Sequence, residues 1–289
     1  MAELFLRDDF LPPAVVDRSS AVALLDWAHK EAQQAPSEQI YRQREGRTTL
    51  RFALAGHSYF LKLHRGIGWA EVLKNLLQLR LPVTGASNEY RAVAALQRLG
   101  VDTLSVAAYA RRGWNPATQQ SLLVTDDLVG TTSLEDYCAD WATQRPEVSV
   151  RHRLLRKVAR SARVMHSAGI NHRDFYLCHF HLDESSLTAS QMRCYLIDLH
   201  RAQLRTATPR RWRVKDLAGL YFSAMDCGLT PRDLLRFMRD YTDGGLRQAL
   251  GADRRLWQRV DSKARQLYRR THAADPPPMA LLQEVMDER

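Results

Sequence analysis

Apolar and aromatic residues interrupted by glycine predict a run of antiparallel strands between Ile40 and His64. The segment IYRQREGRTTLRFALAGHSYFLKLH is rich in Tyr, Thr, Phe and Leu, and it is broken at Gly46 and Gly56. Such breaks between strand-forming runs are typical of hairpin turns. Two further strands are predicted from LSVAAYARRG and QSLLVTDDL. The first half of the chain is therefore expected to be rich in β-structure.

Helical spacing of apolar residues follows these strands. The segment GWAEVLKNLLQLRLP repeats apolar residues every three or four positions and ends at Pro82, and NEYRAVAALQRLG begins at the cap residue Asn88. Three further helices are predicted at VRHRLLRKVARSARVMHSAG, KDLAGLYFSAMDCG and TPRDLLRFMRDY. In the last of these, Thr230, Pro231 and Asp233 form a capping signal.

The change from strand patterns to helical patterns predicts an α+β fold of two lobes. A β-rich N-terminal lobe with two helices is expected over residues 1–129, and a mainly helical C-terminal lobe over residues 130–289. The join falls near TDDLVGTT, and a short buried strand is expected at CYLIDLH. The Pro-rich segment from about residue 273 predicts a mobile tail.

Charge narrows the function classes. The chain has 42 Lys+Arg against 32 Asp+Glu, a formal charge of +10, which favours nucleic acid, acidic lipid, phosphorylated sugar or an acidic protein as a partner. No RRM, helix-turn-helix or zinc-finger pattern supports nucleic acid. The first residues, MAELFLRDDFLPP, do not resemble a secretory signal, and the four cysteines form no C-x-x-C pair. A reduced, cytosolic location is expected.

The segment GINHRDFYLCHFHLDE concentrates histidines and carboxylates. One interpretation is a zinc site built from His172, Cys178, His179 and His181. Cys178 and His179 are adjacent, however, and no second ligand pair follows at finger-type spacing, so zinc is disfavoured. His172 is expected to pack and brace the loop, and His166 and His181 are expected to have core or helix-end roles.

The other interpretation is an enzyme loop. Asp174 follows the end of a helix and Asp198 follows a short strand, so both carboxylates stand where a regular element gives way to a loop. Lys62 lies within the apolar strand SYFLKLH, where an ammonium group requires an anionic partner.

These pieces, in this order, resemble the eukaryotic-like kinase fold. YFLK is similar to the strand that carries the phosphate-binding lysine, HRDFYLCH to the H-R-D-x-x-x-x-N loop, and LID followed by LH to the D-F-G position. MHSAGINHRD resembles the small-molecule branch of these kinases. Longer strings, among them RGIGWAEVLKNLLQLRLPVTGA, NHRDFYLCHF and TPRRWRVKDLAGLYFSA, resemble the bacterial lipopolysaccharide core heptose kinases from about Tyr41 to Tyr241.

The resemblance implies an ATP-dependent kinase that uses Mg²⁺ to phosphorylate a hydroxyl of heptose I in the lipopolysaccharide inner core, attached to lipid A. Asp174 would be the catalytic base, and Asp198 would bind Mg²⁺. Lys62 would bind the α- and β-phosphates, held in place by Glu89 or by its rival Glu71. The enzyme would be peripheral at the cytoplasmic face of the inner membrane.

Two departures from the kinase pattern affect the site. His179 replaces the asparagine of the loop, and imidazole is a less favoured ligand for Mg²⁺ than an amide oxygen, so its contact with metal or phosphate stays open. The turn REGRTT has a single glycine. The phosphates of the nucleotide are therefore expected to be bound by backbone amides near Gly46 and by Arg47.

Cations close to the loop are expected to bind an acceptor that bears phosphates and acidic sugars. These candidates are Arg173, Arg201, Arg210 and Arg211, and the last two belong to TPRRWRVKD. Asp216, later in that string, is expected to bond back to the catalytic loop.

Several alternatives remain open at the level of sequence. The leucines around Lys74 and Arg80 either face a membrane or pack in the core. The acceptor is either heptose I, another core sugar or a protein hydroxyl, and a non-catalytic kinase-like scaffold is the alternative from a different class. An acidic protein partner is also compatible with the charge.

Overall fold

The structure is a computed structural model that describes residues 2–13, 15, 17–44, 46–77 and 85–277, with the side chains of residues 44, 71, 72, 75 and 76 left out. The chain forms two compact units. The first comprises residues 1–94 and 104–129, and the second comprises residues 95–103 and 130–289. From residue 278 onward, the tail predicted to be mobile lies outside the described residues.

The first unit contains a six-stranded antiparallel sheet in the order β1-β5-β6-β4-β3-β2. Its strands are β1 (Glu3–Leu6), β2 (Ile40–Arg44), β3 (Arg47–Leu54), β4 (His57–His64), β5 (Val106–Arg112) and β6 (Gln120–Asp126). The predicted strands correspond to β2–β6, whereas β1 was not predicted. The sheet places β4 between β3 and β6, so that this strand is paired along both edges.

Three helices accompany the sheet: α1 (Ala21–Gln34), α2 (Gly68–Leu77) and α3 (Ser87–Arg98). Leu24, Leu25 and Ala28 of α1 are fully buried in one core cluster with leucines of β3 and β4. This helix was not predicted, although the Ser20 hydroxyl caps it. α3 begins at Ser87, one residue before the predicted cap Asn88, and Pro82, the expected end of α2, lies outside the described residues.

The second unit is mainly helical. Its helices are α4 (Leu134–Tyr137), α5 (Val148–Ser167), α6 (Arg210–Ala224), α7 (Pro231–Tyr241), α8 (Gly245–Leu250) and α9 (Arg254–His272). Its strands are β7 (Thr131–Ser133), β8 (Ile170–Asn171), β9 (Phe180–Asp183), β10 (Cys194–Leu196) and β11 (Gln203–Leu204), in one three-stranded and one two-stranded sheet. The capping box of Thr230 and Asp233 on α7 is confirmed. α9 was not predicted.

A β-rich unit and a mainly helical unit agree with the predicted α+β class. Within the described part of the chain, every helix is too short or too polar to serve as a membrane span.

Candidate active site

Lys62 lies on the central strand β4, where alternation places its neighbours Leu61 and Leu63 in the core and Lys62 on the opposite face. Its ammonium Nζ is 2.5 Å from Oε1 of Glu89, which is in the first turn of α3. The Glu89 side chain is only 1% exposed. Each charge therefore supplies the partner that the other requires in a buried setting. The side chain of Glu71, the rival candidate, lies outside the described residues.

The turn between β2 and β3 is built closely around Gly46. This residue has φ +75°, and a Cβ there would collide with the carbonyl oxygen of Gly66. The Gly46 carbonyl also accepts a hydrogen bond from the Arg65 amide at 2.7 Å. A side chain is therefore excluded at Gly46. The phosphate-binding roles of Gly46 and Arg47 stay predictions.

In the second unit, Asp216 holds the loop that precedes Asp174. Its two carboxylate oxygens accept hydrogen bonds from the backbone amides of His172 (2.6 Å) and Arg173 (2.9 Å). The predicted bond from Asp216 back to the loop is thereby confirmed. Arg173 adopts φ +78°, a left-handed conformation that is uncommon for a non-glycine residue. Buried Asp216 on α6 thus holds a strained backbone immediately before the candidate base.

Glycine is required at the start of this loop. Gly169 ends α5 with φ +81°, and a Cβ at this position would collide with the carbonyl of Arg205. The Arg205 amide donates to the Gly169 carbonyl at 3.0 Å, beside the β8–β11 pair. The backbone of the loop is therefore fixed on both sides before it reaches Asp174.

The carboxylate of Asp174 is bound by Arg201, one of the predicted acceptor-binding cations. Nη1 of Arg201 lies 2.9 Å from Oδ1 and 3.0 Å from Oδ2. The guanidinium group neutralises the carboxylate and fixes its plane.

Asp198 is close to two histidines. Its Oδ1 lies 2.6 Å from Nδ1 of His200, and its Oδ2 lies 3.6 Å from Nε2 of His179. Asp198 itself adopts the left-handed conformation, with φ 58° and ψ 49°. Nδ1 of His179 contacts the backbone carbonyl of Asp174 at 2.6 Å. The imidazole of His179 therefore connects the Asp174 backbone to the Asp198 carboxylate.

Burial of His179 acts to lower the pKa of its imidazole. Hydrogen bonds to Cys178 and to the Asp174 carbonyl, together with the charges of Cys178 and Asp198, oppose burial and raise the pKa to about 9. A protonated imidazole has no lone pair for a metal. In the metal-free protein, the raised pKa favours a protonated imidazole beside the Asp198 carboxylate, and contact of His179 with a metal stays a prediction.

Four cations surround the indole ring of Trp212 in the second unit. Their charged groups lie 5.3–5.8 Å from the ring centroid, and they belong to Arg173, Arg205, Arg211 and Lys215. Burial and the charges of Arg173 and Arg201 lower the pKa of Lys215, against the opposing charge of Asp174. We call these five residues the Trp212 cluster. It is an electropositive surface next to the candidate base.

The Trp212 cluster only partly matches the residues predicted to bind an acceptor. Arg173 and Arg211 belong to it, and Arg201 binds Asp174 instead, while Arg210 is exposed at the first position of α6. Arg205 was missed, and Lys215 was included only as one of the clustered cations of TPRRWRVKD. The signal for Lys215 was its spacing of four residues from Arg211, which places both on one face of a helix.

The remaining histidines of the loop have local partners. His172 is fully buried, its Nε2 lies 2.9 Å from the Ile197 carbonyl, and its ring stacks on that of His179. Burial lowers its pKa, as expected for a histidine that braces the loop. His181 contacts the Thr131 hydroxyl at 3.2 Å. Among the described residues, no group of three or more His, Cys, Asp or Glu side chains could hold a metal.

A β-rich unit with a buried Lys–Glu pair and a helical unit with a braced H-R-D loop define the class of kinase-like phosphotransferases. The profile of the "Lipopolysaccharide kinase (Kdo/WaaP) family" matches residues 31–241. The chain belongs to this family, and the predicted kinase class is confirmed.

Curated relatives of this family match most of the chain. "Lipopolysaccharide core heptose(I) kinase WaaP" of Escherichia coli is 51% identical over 235 residues, which is 81% of this chain and 88% of the relative. The protein of the same name from Pseudomonas aeruginosa strain PAO1 is 48% identical over 241 residues, or 83% and 90%. A solved structure described as "WaaP in complex with acyl carrier protein" has a TM-score of 0.76 and 38% identity. It covers 92% of this chain and 99% of that chain.

Proposed function

We propose that the chain transfers the γ-phosphoryl group of ATP to a hydroxyl of heptose I in the inner core of lipopolysaccharide. The observation that carries this proposal is the Asp216-braced loop that presents Asp174 beside a cation-rich surface. The heptose I acceptor follows from relatives about half identical to the chain. Phosphoryl transfer depends on positioning and charge neutralisation, which both features supply.

Asp174 is the proposed catalytic base. It would accept a hydrogen bond from the acceptor hydroxyl, orient it toward the γ-phosphorus, and take its proton as the new O–P bond forms and the bond from phosphorus to the leaving ADP breaks. Arg201 already binds both carboxylate oxygens. We propose that it fixes the carboxylate plane and that the incoming hydroxyl displaces one of its two contacts.

Lys62 is the proposed ligand of the α- and β-phosphates. Its flexible stem is held by Glu89, which is nearly inaccessible to water and cannot be neutralised by solvent counterions. The ammonium group would therefore be positioned before ATP arrives, which reduces the ordering cost of binding.

Asp198 fits Mg²⁺ as a hard oxygen ligand. In phosphotransferases this ion is usually held by one or two carboxylates together with substrate phosphates, so a cage made only of protein groups is not required. When bound, Mg²⁺ would neutralise charge on the terminal phosphates. Without bound metal, the raised pKa of His179 supports a cation next to Asp198.

The Trp212 cluster is the proposed binding surface for anionic groups of the acceptor. Its cations lie beside the indole ring and near Asp174 and Asp216, the two acids that oppose the lowered pKa of Lys215. An acceptor that carries phosphates or acidic sugars would supply the missing negative charge.

Helix α2 supports the proposed peripheral location at the cytoplasmic face of the inner membrane. Trp69, Leu73 and Leu77 are exposed and follow one another at intervals of four residues, so they form one apolar face next to exposed Lys74. An aromatic residue, leucines and a cation on one helix are typical of interfacial binding. Flotation with vesicles of anionic lipid tests this; a Leu73→Ser/Leu77→Ser variant that floats as well as wild type would contradict it.

We propose acyl carrier protein as the acidic partner, since it is the partner in the related complex. The net charge of +10 favours an acidic protein. The second unit also contains an apolar cavity of about 100 Å³, lined among others by Trp141, Leu155, Phe237 and Met238. Such a cavity fits an acyl chain better than a polar ligand. Co-purification with acylated but not with unacylated carrier protein would support this role.

The decisive experiment incubates the purified chain with labelled ATP and dephosphorylated core lipopolysaccharide and locates the label by mass analysis of the sugars. Phosphate on heptose I is expected for wild type and not for Asp174→Asn. Labelled phosphate on another core sugar or on protein would show that heptose I is not the acceptor. If ATP·Mg²⁺ supported no phosphate transfer and did not raise the unfolding temperature of the protein, the non-catalytic scaffold would be favoured.

A further inference from the structure

The second unit contains a polar cavity of about 280 Å³ that has no part in the proposed reaction. This volume far exceeds the roughly 10–15 Å³ that a single water requires. Its lining includes Arg163, Arg213, Tyr241, Thr242 and Asp253. A cavity of this size and polarity has room for a small hydrophilic ligand.

Along one wall of the cavity, a chain of hydrogen bonds pairs the polar side chains with one another without a ligand. Oδ2 of Asp216 lies 3.3 Å from Nε2 of His166 and can only accept, so a neutral imidazole carries its proton on Nε2. Nδ1 of His166 is then an acceptor, and the Tyr241 hydroxyl donates to it at 2.9 Å. The Tyr241 oxygen in turn accepts from Nε of Arg213 at 2.9 Å.

Two other groups lining the cavity are not satisfied in this way. Arg213 uses only Nε in that chain, and no carboxylate within the described ranges pairs with its terminal amino groups. Thr242 is buried, and its hydroxyl has no hydrogen-bond partner among the described residues. Buried hydroxyls are usually paired, so Thr242 indicates where a ligand would bind, and half-buried Arg213 supplies a cation in the same cavity.

The charges around the cavity indicate the sign of that ligand. Arg163 faces Asp243 at 3.4 Å. Asp253 directly precedes the N-terminus of α9, where the helix dipole favours a negative charge, and it accepts from Gln248 at 2.9 Å. Neither acid pairs with Arg213 among the described residues, so its planar fork is suited to a carboxylate or a phosphate.

We propose that this cavity binds a small hydroxylated oxyanion, a carboxylate or phosphate carried on a sugar-sized polyol. The Arg213 fork would bind the oxyanion, Thr242 would bond to a ligand oxygen, and Asp253 would accept from a ligand hydroxyl. The site is separate from the Trp212 cluster and requires neither ATP nor the lipopolysaccharide acceptor.

Isothermal titration calorimetry of the full chain without nucleotide tests the site with glucuronate, glucose 6-phosphate and neutral glucose. Wild type is expected to bind at least one acidic probe and not glucose, and the probe that binds identifies the source as carboxylate or phosphate. Arg213→Gln is expected to weaken binding at least 10-fold, and the near-isosteric Thr242→Val several-fold. Arg259→Gln, an exposed arginine of α9, is the matched control and is expected to bind as wild type, and Arg211→Gln reports any binding of the probes at the Trp212 cluster.

The site would be overturned by no binding of either acidic probe, by equal binding of glucose, or by undiminished binding to both Arg213→Gln and Thr242→Val. Loss of binding in Arg211→Gln alone would show that the probe binds at the Trp212 cluster, which would also overturn the proposed site. Circular dichroism of each variant establishes that it is folded. Because the assay contains no ATP or acceptor, its failure leaves the proposed kinase function untouched.

Discussion

The Lys62–Glu89 pair and the Trp212 cluster differ in how their positive charge is balanced. In the pair, one cation meets one carboxylate and the carboxylate is almost fully buried. In the cluster, four cations gather at one ring, and burial, together with repulsion between the charges, lowers the pKa values of Lys215 and Arg173. The charge of Lys62 is balanced within the protein, whereas the charges of the cluster require an external anion to balance them. Stability should therefore depend on the first and acceptor recognition on the second.

The largest effect is expected for Asp174→Asn, which keeps the shape of the side chain and removes the base beside the cluster. Turnover of core lipopolysaccharide should fall by about 10²- to 10⁴-fold, the usual range for loss of a general base. ATP binding, measured by calorimetry, should be unchanged. Phosphate transfer within 3-fold of wild type would remove Asp174 from the mechanism.

The next effect tests the pair. Lys62→Met leaves Glu89 buried without its cation, which should reduce the free energy of unfolding by about 3–5 kcal/mol. The double variant Lys62→Met/Glu89→Leu should regain part of this stability in urea denaturation, while activity stays lost. If the single and the double variant were equally stable, the two charges would not depend on each other.

A smaller effect is expected for His179, whose folded pKa of about 9 lies above the ordinary value of 6.5. A raised pKa stabilises the fold fully below pH 6.5, and this contribution is lost as pH rises through 9. Its size should be on the order of 1–3 kcal/mol. The difference in unfolding free energy between wild type and His179→Gln, without metal, should therefore shrink from pH 6 to pH 10. A difference independent of pH would refute a charged imidazole.

The smallest effect is expected for Arg211→Gln in the cluster. Loss of one partly exposed cation should raise the KM for the acceptor about 2- to 5-fold, with the KM for ATP unchanged. The unfolding free energy should change by less than about 0.5 kcal/mol. Arg259→Gln is the matched control and should alter neither KM. If the loss of unfolding free energy exceeded RT ln of the rise in KM, the cluster would serve stability more than acceptor recognition, which would contradict the contrast with the Lys62–Glu89 pair.

Much of this arrangement could be predicted from local sequence. The alternation around Lys62 places it opposite the core, and the capping signal at Thr230 gives the start of α7. The choice between Glu89 and Glu71 could not be made in this way, because it depends on how α3 meets the sheet over 27 residues of chain.

The missed elements have different physical reasons. α9 is highly charged, yet Leu256, Val260 and Ala264 are buried at intervals of four residues, a signal that its arginines obscured. Arg205 joins the cluster through the β8–β11 pair, and a two-stranded pairing of two residues each leaves almost no pattern in sequence. The contact between His179 and Asp198 depends likewise on tertiary folding.

The left-handed backbone at Asp198 has a consequence for engineering. Glycine would occupy this conformation without strain, but Asp198→Gly would also remove the carboxylate that contacts His179 and His200. The same replacement deletes the one hard oxygen donor assigned to the ion. A replacement that relieves the backbone here therefore removes the contacts and the chemistry of the carboxylate together, so variants of this enzyme have to be selected for activity as well as for thermal resistance.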